Sequence, residues 1–196
     1  MPAPEFHALA ASTRRVLLCL DVQVGVLSDP PLGVPSSHAL RENIALVLAR
    51  ARAAQHPPLI IHVRNTGDFG ELDEPHTPGW QLAHTPLPHE PVIDKRKNNA
   101  FAGTKLGELI SPDAEVVIVG LQSDFSVRAT CSAALGRGNE VLMIRGAHGT
   151  YDRLEVLYGG GVTGAAQIEA EIEGELEEAG VNLLDMNDLG AIFDDR

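Results

Sequence analysis

Apolar residues arrive in short blocks along this chain, and the blocks alternate between two periods. Val16-Leu17-Leu18-Cys19-Leu20 is uninterrupted and ends at Asp21, which predicts a strand buried on both faces. From His38 to Gln55, Leu40, Ile44, Val47, Leu48 and Ala51 fall on one helical face. Pro57-Pro58 stops that helix and leads into a second strand, Leu59-Ile60-Ile61-His62-Val63. A third strand runs from Glu115 to Gly120, followed by a small-residue helix from about Asp124 to Arg137. Gly138-Asn139 turns into a fourth, Glu140 to Ile144. An amphipathic helix from Thr163 to Ala179 and a strand from Val181 to Leu184 complete the alternation. Strands and helices taking turns predict an α/β fold with three α/β/α layers and a mostly parallel sheet.

The period fails between Asn65 and Pro91, a stretch rich in Pro, His and Gly. A loop this long inside a compact domain is a functional or contact element, so residues 65–91 are expected to border an active site or a subunit interface. Gly159-Gly160-Gly161 lacks the lysine of a phosphate loop and has no strong strand before it, and it reads as a flexible helix lead-in. No repeat divides the chain, and 196 residues at 44% hydrophobic suit one domain over 1–196, with 1–13 as an N-terminal extension.

Charge narrows the function. A formal net charge of −12 argues against nucleic acid and against anionic membranes. Most of the excess lies after Tyr151, where about a dozen acids face only Arg153 and Arg196, the pattern of a solvated helix face. No stretch approaches the ~20 apolar residues of a membrane span. The start, MPAPEFHALAASTRR, has no basic stretch followed by an apolar core, so a cytoplasmic location is expected. Two cysteines cannot make a disulfide framework, and Cys19 and Cys131 are both expected buried and reduced.

Open parallel sheets bind ligands beyond the carboxyl ends of their strands, and three candidate residues converge there. Asp21 ends the first strand, Lys95 follows Val92-Ile93-Asp94, and Ser126 opens the helix after Glu115–Gly120. Singly, these are an ordinary turn residue, a solvated lysine and a helix cap. Together they form Asp21-x-Gln23, Lys95 five residues before Ala100-Phe101, and Gly120-Leu121-Gln122-Ser123-Asp124-Phe125-Ser126-Val127. This combination resembles the isochorismatase-like cysteine hydrolases, in which the position of Ser126 carries the attacking cysteine. Pro78-Gly79-Trp80-Gln81-Leu82 and Gly146-Ala147-His148-Gly149-Thr150-Tyr151-Asp152 are similar to further stretches of that family, so the likeness spans residues 14 to 185.

The resemblance implies a Rossmann-like isochorismatase fold with a six-stranded sheet and a homo-oligomer. It implies a triad of Asp21 as general base, Lys95 holding that aspartate and lowering the nucleophile's pKa, and position 126 as nucleophile. It places a non-proline cis peptide at Leu121–Gln122, with the N–H groups of Gln122 and Ser126 forming the oxyanion hole. Gln23, Trp80, Leu121, Phe125 and His148 are candidate substrate-binding residues, with Trp80 either a pocket wall or an interface contact. No cofactor is implied. Metal ligation is not expected either, because no Asp-x-His or His-x₃-His spacing occurs; His62, inside a strand, reads as a hydrogen-bonded core residue. Cys131 is a poor substitute nucleophile, being rotated about 140° from Ser126 and about 7.5 Å further along the helix.

Serine in a thiol site is expected to lose most activity, since a neighbouring cation can ionise a thiol but not an alcohol. Three readings stay open. One is a hydrolase of small amide, carbamoyl or lactam C–N bonds in which serine replaces the cysteine. A second is a vinyl-ether hydrolase of isochorismatase type, using Asp21 as general acid without a thiol. The third is a degenerate member that binds a ligand or partner without turnover.

Overall fold

The computed structural model describes residues 14–157 and 159–193, so the expected N-terminal extension lies outside the described residues. Six strands form one sheet: β1 (Arg15–Leu20), β2 (Leu59–Asn65), β3 (Val92–Lys95), β4 (Glu115–Leu121), β5 (Glu140–Gly149) and, last in the chain, β8 (Asn182–Leu184). Their order is β3-β2-β1-β4-β5-β8 and every neighbouring pair is parallel, where the sequence predicted a mostly parallel sheet. A separate two-stranded hairpin pairs β6 (Arg153–Leu154) with β7 (Val162–Thr163). The helices are α1 (Ser37–Ala53), the single turn α2 (Leu106–Leu109), α3 (Arg128–Arg137), α4 (Ala165–Ala179) and α5 (Leu189–Phe193).

Alternation along the strands sends side chains to two cores. On one face Leu17, Cys19, Val117, Val119 and Leu142 pack with Leu40, Ile44 and Leu48 of α1 and with Ile192 and Phe193 of α5. On the other, Val16, Leu18, Leu20, Val116 and Ile118 pack with Leu106, with Cys131 and Ala134 of α3, and with Ile168, Ile172 and Leu176 of α4. The central strands are therefore apolar throughout, which is why their runs are uninterrupted in sequence. The acid-rich side of α4 stays outside: Glu171, Glu175, Glu177 and Glu178 are exposed.

Departures from the expected boundaries cluster near the carboxyl edge. β3 carries exposed Val92 and Asp94 on the sheet edge, a short charged strand with no apolar run to announce it. β5 continues five residues past Ile144, because after a register shift its far end pairs Gly120 with His148 and Leu121 with Gly149. The helix expected from Asp124 begins as a π-helical turn, Ser123–Val127, before α3 proper. α4 starts at Ala165 because Thr163 is engaged in the hairpin.

The long loop is tied down at its exit. Glu90, buried, accepts from Arg52 of α1 (2.8 Å to each carboxylate oxygen), from the Leu87 N–H (2.9 Å) and from His62 of β2 (2.9 Å). A carboxylate only accepts, so His62 Nε2 carries the proton, and burial lowers the pKa of the ring below its ordinary value. His62 is thus the hydrogen-bonded core histidine that the sequence predicts. Burial works to raise the Glu90 carboxyl, but Arg52, the Leu87 N–H and His62 overcome it and hold it down at about 2. A depressed carboxyl stabilises the fold above its unfolded pKa and loses that contribution as pH falls through the folded value. Urea midpoints are therefore expected to fall between pH 4.5 and about 2, with a flatter decline in Glu90→Gln.

Gly120 shows how closely the sheet is drawn together at the site. Its φ is +125°, and a Cβ there would lie 1.9 Å from the Leu20 carbonyl oxygen of β1. Gly120→Ala is expected to cost about 3 kcal/mol or more of stability, read from urea unfolding, through strain and a backbone clash with no flexible partner to yield.

Candidate active site

The sheet order reverses at β1, whose neighbours β2 and β4 lead away in opposite directions, so a crevice opens beyond the ends of β1 and β4. Asp21 is the first residue after β1, Lys95 the last of β3, and Ser126 lies in the π-helical turn after β4. All three are buried. The Lys95 ammonium directs its three donors to three acceptors: Asp21 Oδ2 at 2.7 Å, Asn65 Oδ1 at 3.1 Å and Ser126 Oγ at 3.1 Å. Because Lys95 donates to Oγ, the Ser126 hydroxyl hydrogen remains for another acceptor. Asp21 Oδ1 is buried and has no hydrogen-bond partner among the described residues. Burial raises the Asp21 carboxyl above its ordinary value, Lys95 works against that rise, and the nearby Asp73 charge adds to it.

A cavity of about 240 Å³ opens over this trio. Asp21, Ser126, Gln122 and Leu121 line it, with Phe125 and Val26 as further walls. The remaining lining residues, Asn65, Asp73 and Asn98, are ones the sequence reading missed. Asn65 ends β2 and links two charges, accepting from Lys95 and donating from Nδ2 to Asp73 Oδ2 at 2.6 Å. Asp73 belongs to the long loop, whose lack of period marks the segment but not the residue.

The five candidate substrate-binding residues divide. Leu121 and Phe125 line the cavity, and Phe125 is half exposed. Gln23, Trp80 and His148 do not line it. Gln23 is fully buried and clamps β2 to the long loop: Nε2 donates to the carbonyls of Asn65 and Trp80 at 3.1 Å, and Oε1 accepts from the Asn65 N–H at 2.8 Å. The Trp80 ring is turned to Arg64, whose guanidinium carbon lies 3.4 Å from its centroid, and edge-on to His76. His148 sits beneath the turn that carries Ser126, with Nδ1 2.9 Å from Ser123 Oγ and Nε2 3.2 Å from Glu173. It braces the turn because β5 runs on to meet Gly120.

Other contacts fix the same turn. The Gln122 carbonyl accepts from both the Phe125 and Val127 N–H groups at 3.1 Å. Thr150 Oγ1 donates to Asp124 at 2.6 Å. Thr130 of α3 accepts from the Ala100 N–H and donates to the Asn98 carbonyl, joining the helix after Ser126 to the loop after Lys95. The Leu121–Gln122 peptide is cis, as the resemblance implies. Among the described residues, no three His, Cys, Asp or Glu are placed to hold a metal ion.

Neither cysteine belongs to the site. Cys19 and Cys131 are fully buried in opposite cores, and burial pushes both thiols up to about 12. A colorimetric thiol reagent is expected to label neither in the native protein and both after unfolding.

The geometry can be set beside known proteins. Residues 15–159 match the model of the isochorismatase domain family. The chain belongs to the isochorismatase family. Among its relatives are two streptothricin hydrolases of Streptomyces noursei, each 38% identical, over 157 and 143 residues. Those alignments cover 78% and 70% of this chain but 60% and 50% of the relatives, so the chain spans little more than half their length. An isochorismatase from Pseudomonas putida KT2440 superposes with a TM-score of 0.80 at 28% identity, covering 96% of this chain and 99% of that one. That agreement bears out the six-stranded α/β fold. No helix among the described residues is long and apolar enough to cross a membrane.

Proposed function

We propose that this isochorismatase-family chain is a hydrolase site for small amide, carbamoyl or lactam C–N bonds, with serine in place of a thiol nucleophile. One observation carries the reading: a buried lysine holds a buried carboxylate at 2.7 Å and the Ser126 oxygen at 3.1 Å at the floor of one cavity. A nucleophile position, a base and a cation in mutual contact suit acyl transfer. Asp21 takes the proton from the nucleophile, whose oxygen or sulfur forms the bond to the acyl carbon. The Gln122 and Ser126 N–H groups, at the start of the helical turn, receive the oxyanion. The amine then leaves with a proton from Asp21, and water releases the acid.

With oxygen at position 126 the first step is slow, because Lys95 cannot ionise an alcohol and an aspartate is a weak base for it. The relatives' name makes streptothricin one compound to assay. The test is a panel of streptothricin, small amides, carbamoyl compounds and lactams offered to Ser126→Cys, with released amine as readout. No turnover of any member would sink the reading.

A vinyl-ether hydrolysis is favoured by one observation of its own. Burial raises the Asp21 carboxyl, and its Oδ1 is unpartnered, as a general acid requires. On that reading the serine chain itself turns over isochorismate, Ser126→Cys changes little, and Asp21→Asn abolishes the reaction.

A further inference from the structure

We infer that Asp73 forms a subsite for a cation, so that the substrates of this site carry a protonated amine or guanidinium beside the bond that is cut. This deepens the amide-hydrolase reading and rests on it. The cavity over Ser126 is lined by two carboxylates, Asp21 and Asp73, and by no lysine, arginine or histidine. The two acids are not equivalent. Asp21 has its countercharge, Lys95, at 2.7 Å. Asp73 is half-buried and meets only the neutral amide of Asn65, at 2.6 Å; among the described residues no cationic group pairs with it. The pocket therefore holds one uncompensated negative charge.

That charge is felt across the cavity. Burial is the larger cause in both, but the Asp73 carboxylate also helps raise the Asp21 carboxyl and the Tyr151 phenol. A substrate cation beside Asp73 would supply the countercharge that the cavity walls lack. Phe125, half exposed, lines the same cavity, and an aromatic ring is a favourable neighbour for a cation. The net charge of −12 draws cations towards the protein as a whole. An anionic substrate meets the opposite situation, a carboxylate in the cavity with no basic side chain on its walls. Isochorismate, with two carboxylates, is disfavoured on these grounds.

The test needs no turnover and uses the serine protein as it stands. Calorimetry measures binding of a chain-length series of ω-amino amides, from 3-aminopropanamide to 6-aminohexanamide, against propanamide to hexanamide. At least one amine-bearing member is expected to bind at least tenfold more tightly than its neutral parent, and the difference should shrink as salt is raised. Asp73→Asn, which keeps an oxygen for the Asn65 amide, is expected to remove the difference. Asp73→Ser, which loses that contact too, should match it. Equal binding of amines and parents overturns the subsite. So does an amine preference that survives Asp73→Asn, or one lost only in Asp73→Ser, since hydrogen bonding rather than charge would then be at work. Binding by no member of either series overturns both the subsite and the amide reading. Selective binding of amines with no turnover by Ser126→Cys overturns the hydrolysis alone.

Discussion

Ser126→Cys raises amide turnover by about 10²-fold or more over the serine chain, the scale of one well-placed proton transfer. The reason is where the proton must go. Lys95 lies 3.1 Å from the Ser126 oxygen, and a thiol there, starting near pKa 8.5, can be ionised by such a neighbour before it attacks. An alcohol starts far higher and must lose its proton during attack, to a carboxylate with little appetite for it. The new thiol has no competitor within the chain, since Cys19 and Cys131 are buried and hard to ionise. Steady-state kinetics on the best amide of the panel measures the gain. Lys95→Met in the cysteine background should erase most of it.

Asp21→Asn in the same background is expected to lower kcat/KM by about 10²–10⁴-fold, because asparagine keeps the shape and cannot take a proton. It also leaves the Lys95 ammonium buried without its carboxylate, a loss of about 3–5 kcal/mol when one partner of a buried pair is removed. Unfolding therefore has to be measured beside the kinetics. The double change Asp21→Asn with Lys95→Met should recover stability and not activity, which separates the role in chemistry from the role in folding. In Ser126→Cys the acid limb of kcat/KM should lie above pH 3.8, because burial raises the Asp21 carboxyl from that value.

Much of this site was legible before any fold was known. Asp21, Lys95 and Ser126 stand at fixed places relative to strand ends, and strand ends are what apolar runs reveal. Leu121 and Phe125 were legible for the same reason, as neighbours of the turn. Asn65 and Asp73 were not. Asn65 extends a strand two residues past its last apolar position, Val63, and Asp73 sits in a loop without period. Nothing in local composition says that such a loop folds back over the cavity. It does so because Gln23 and Glu90 pin it through contacts 57 and 28 residues apart in sequence. His148 and Trp80 lie outside the cavity lining. Each lies near the site in sequence pattern, but one ring is used to brace the turn and the other to stack on Arg64. β3 escaped because an edge strand carries charge where a central strand carries valine and leucine.

The central claim is that position 126 is a thiol site holding an oxygen, and its most direct test requires no substrate. The rate of alkylation of Ser126→Cys by iodoacetamide, followed against pH, gives the pKa of the new thiol. A single reactive thiol with a pKa below about 7.5 is expected, returning to the ordinary value near 8.5 or above when Lys95→Met is added. A thiol that titrates at or above 8.5 with Lys95 in place, or one indifferent to Lys95→Met, would contradict it.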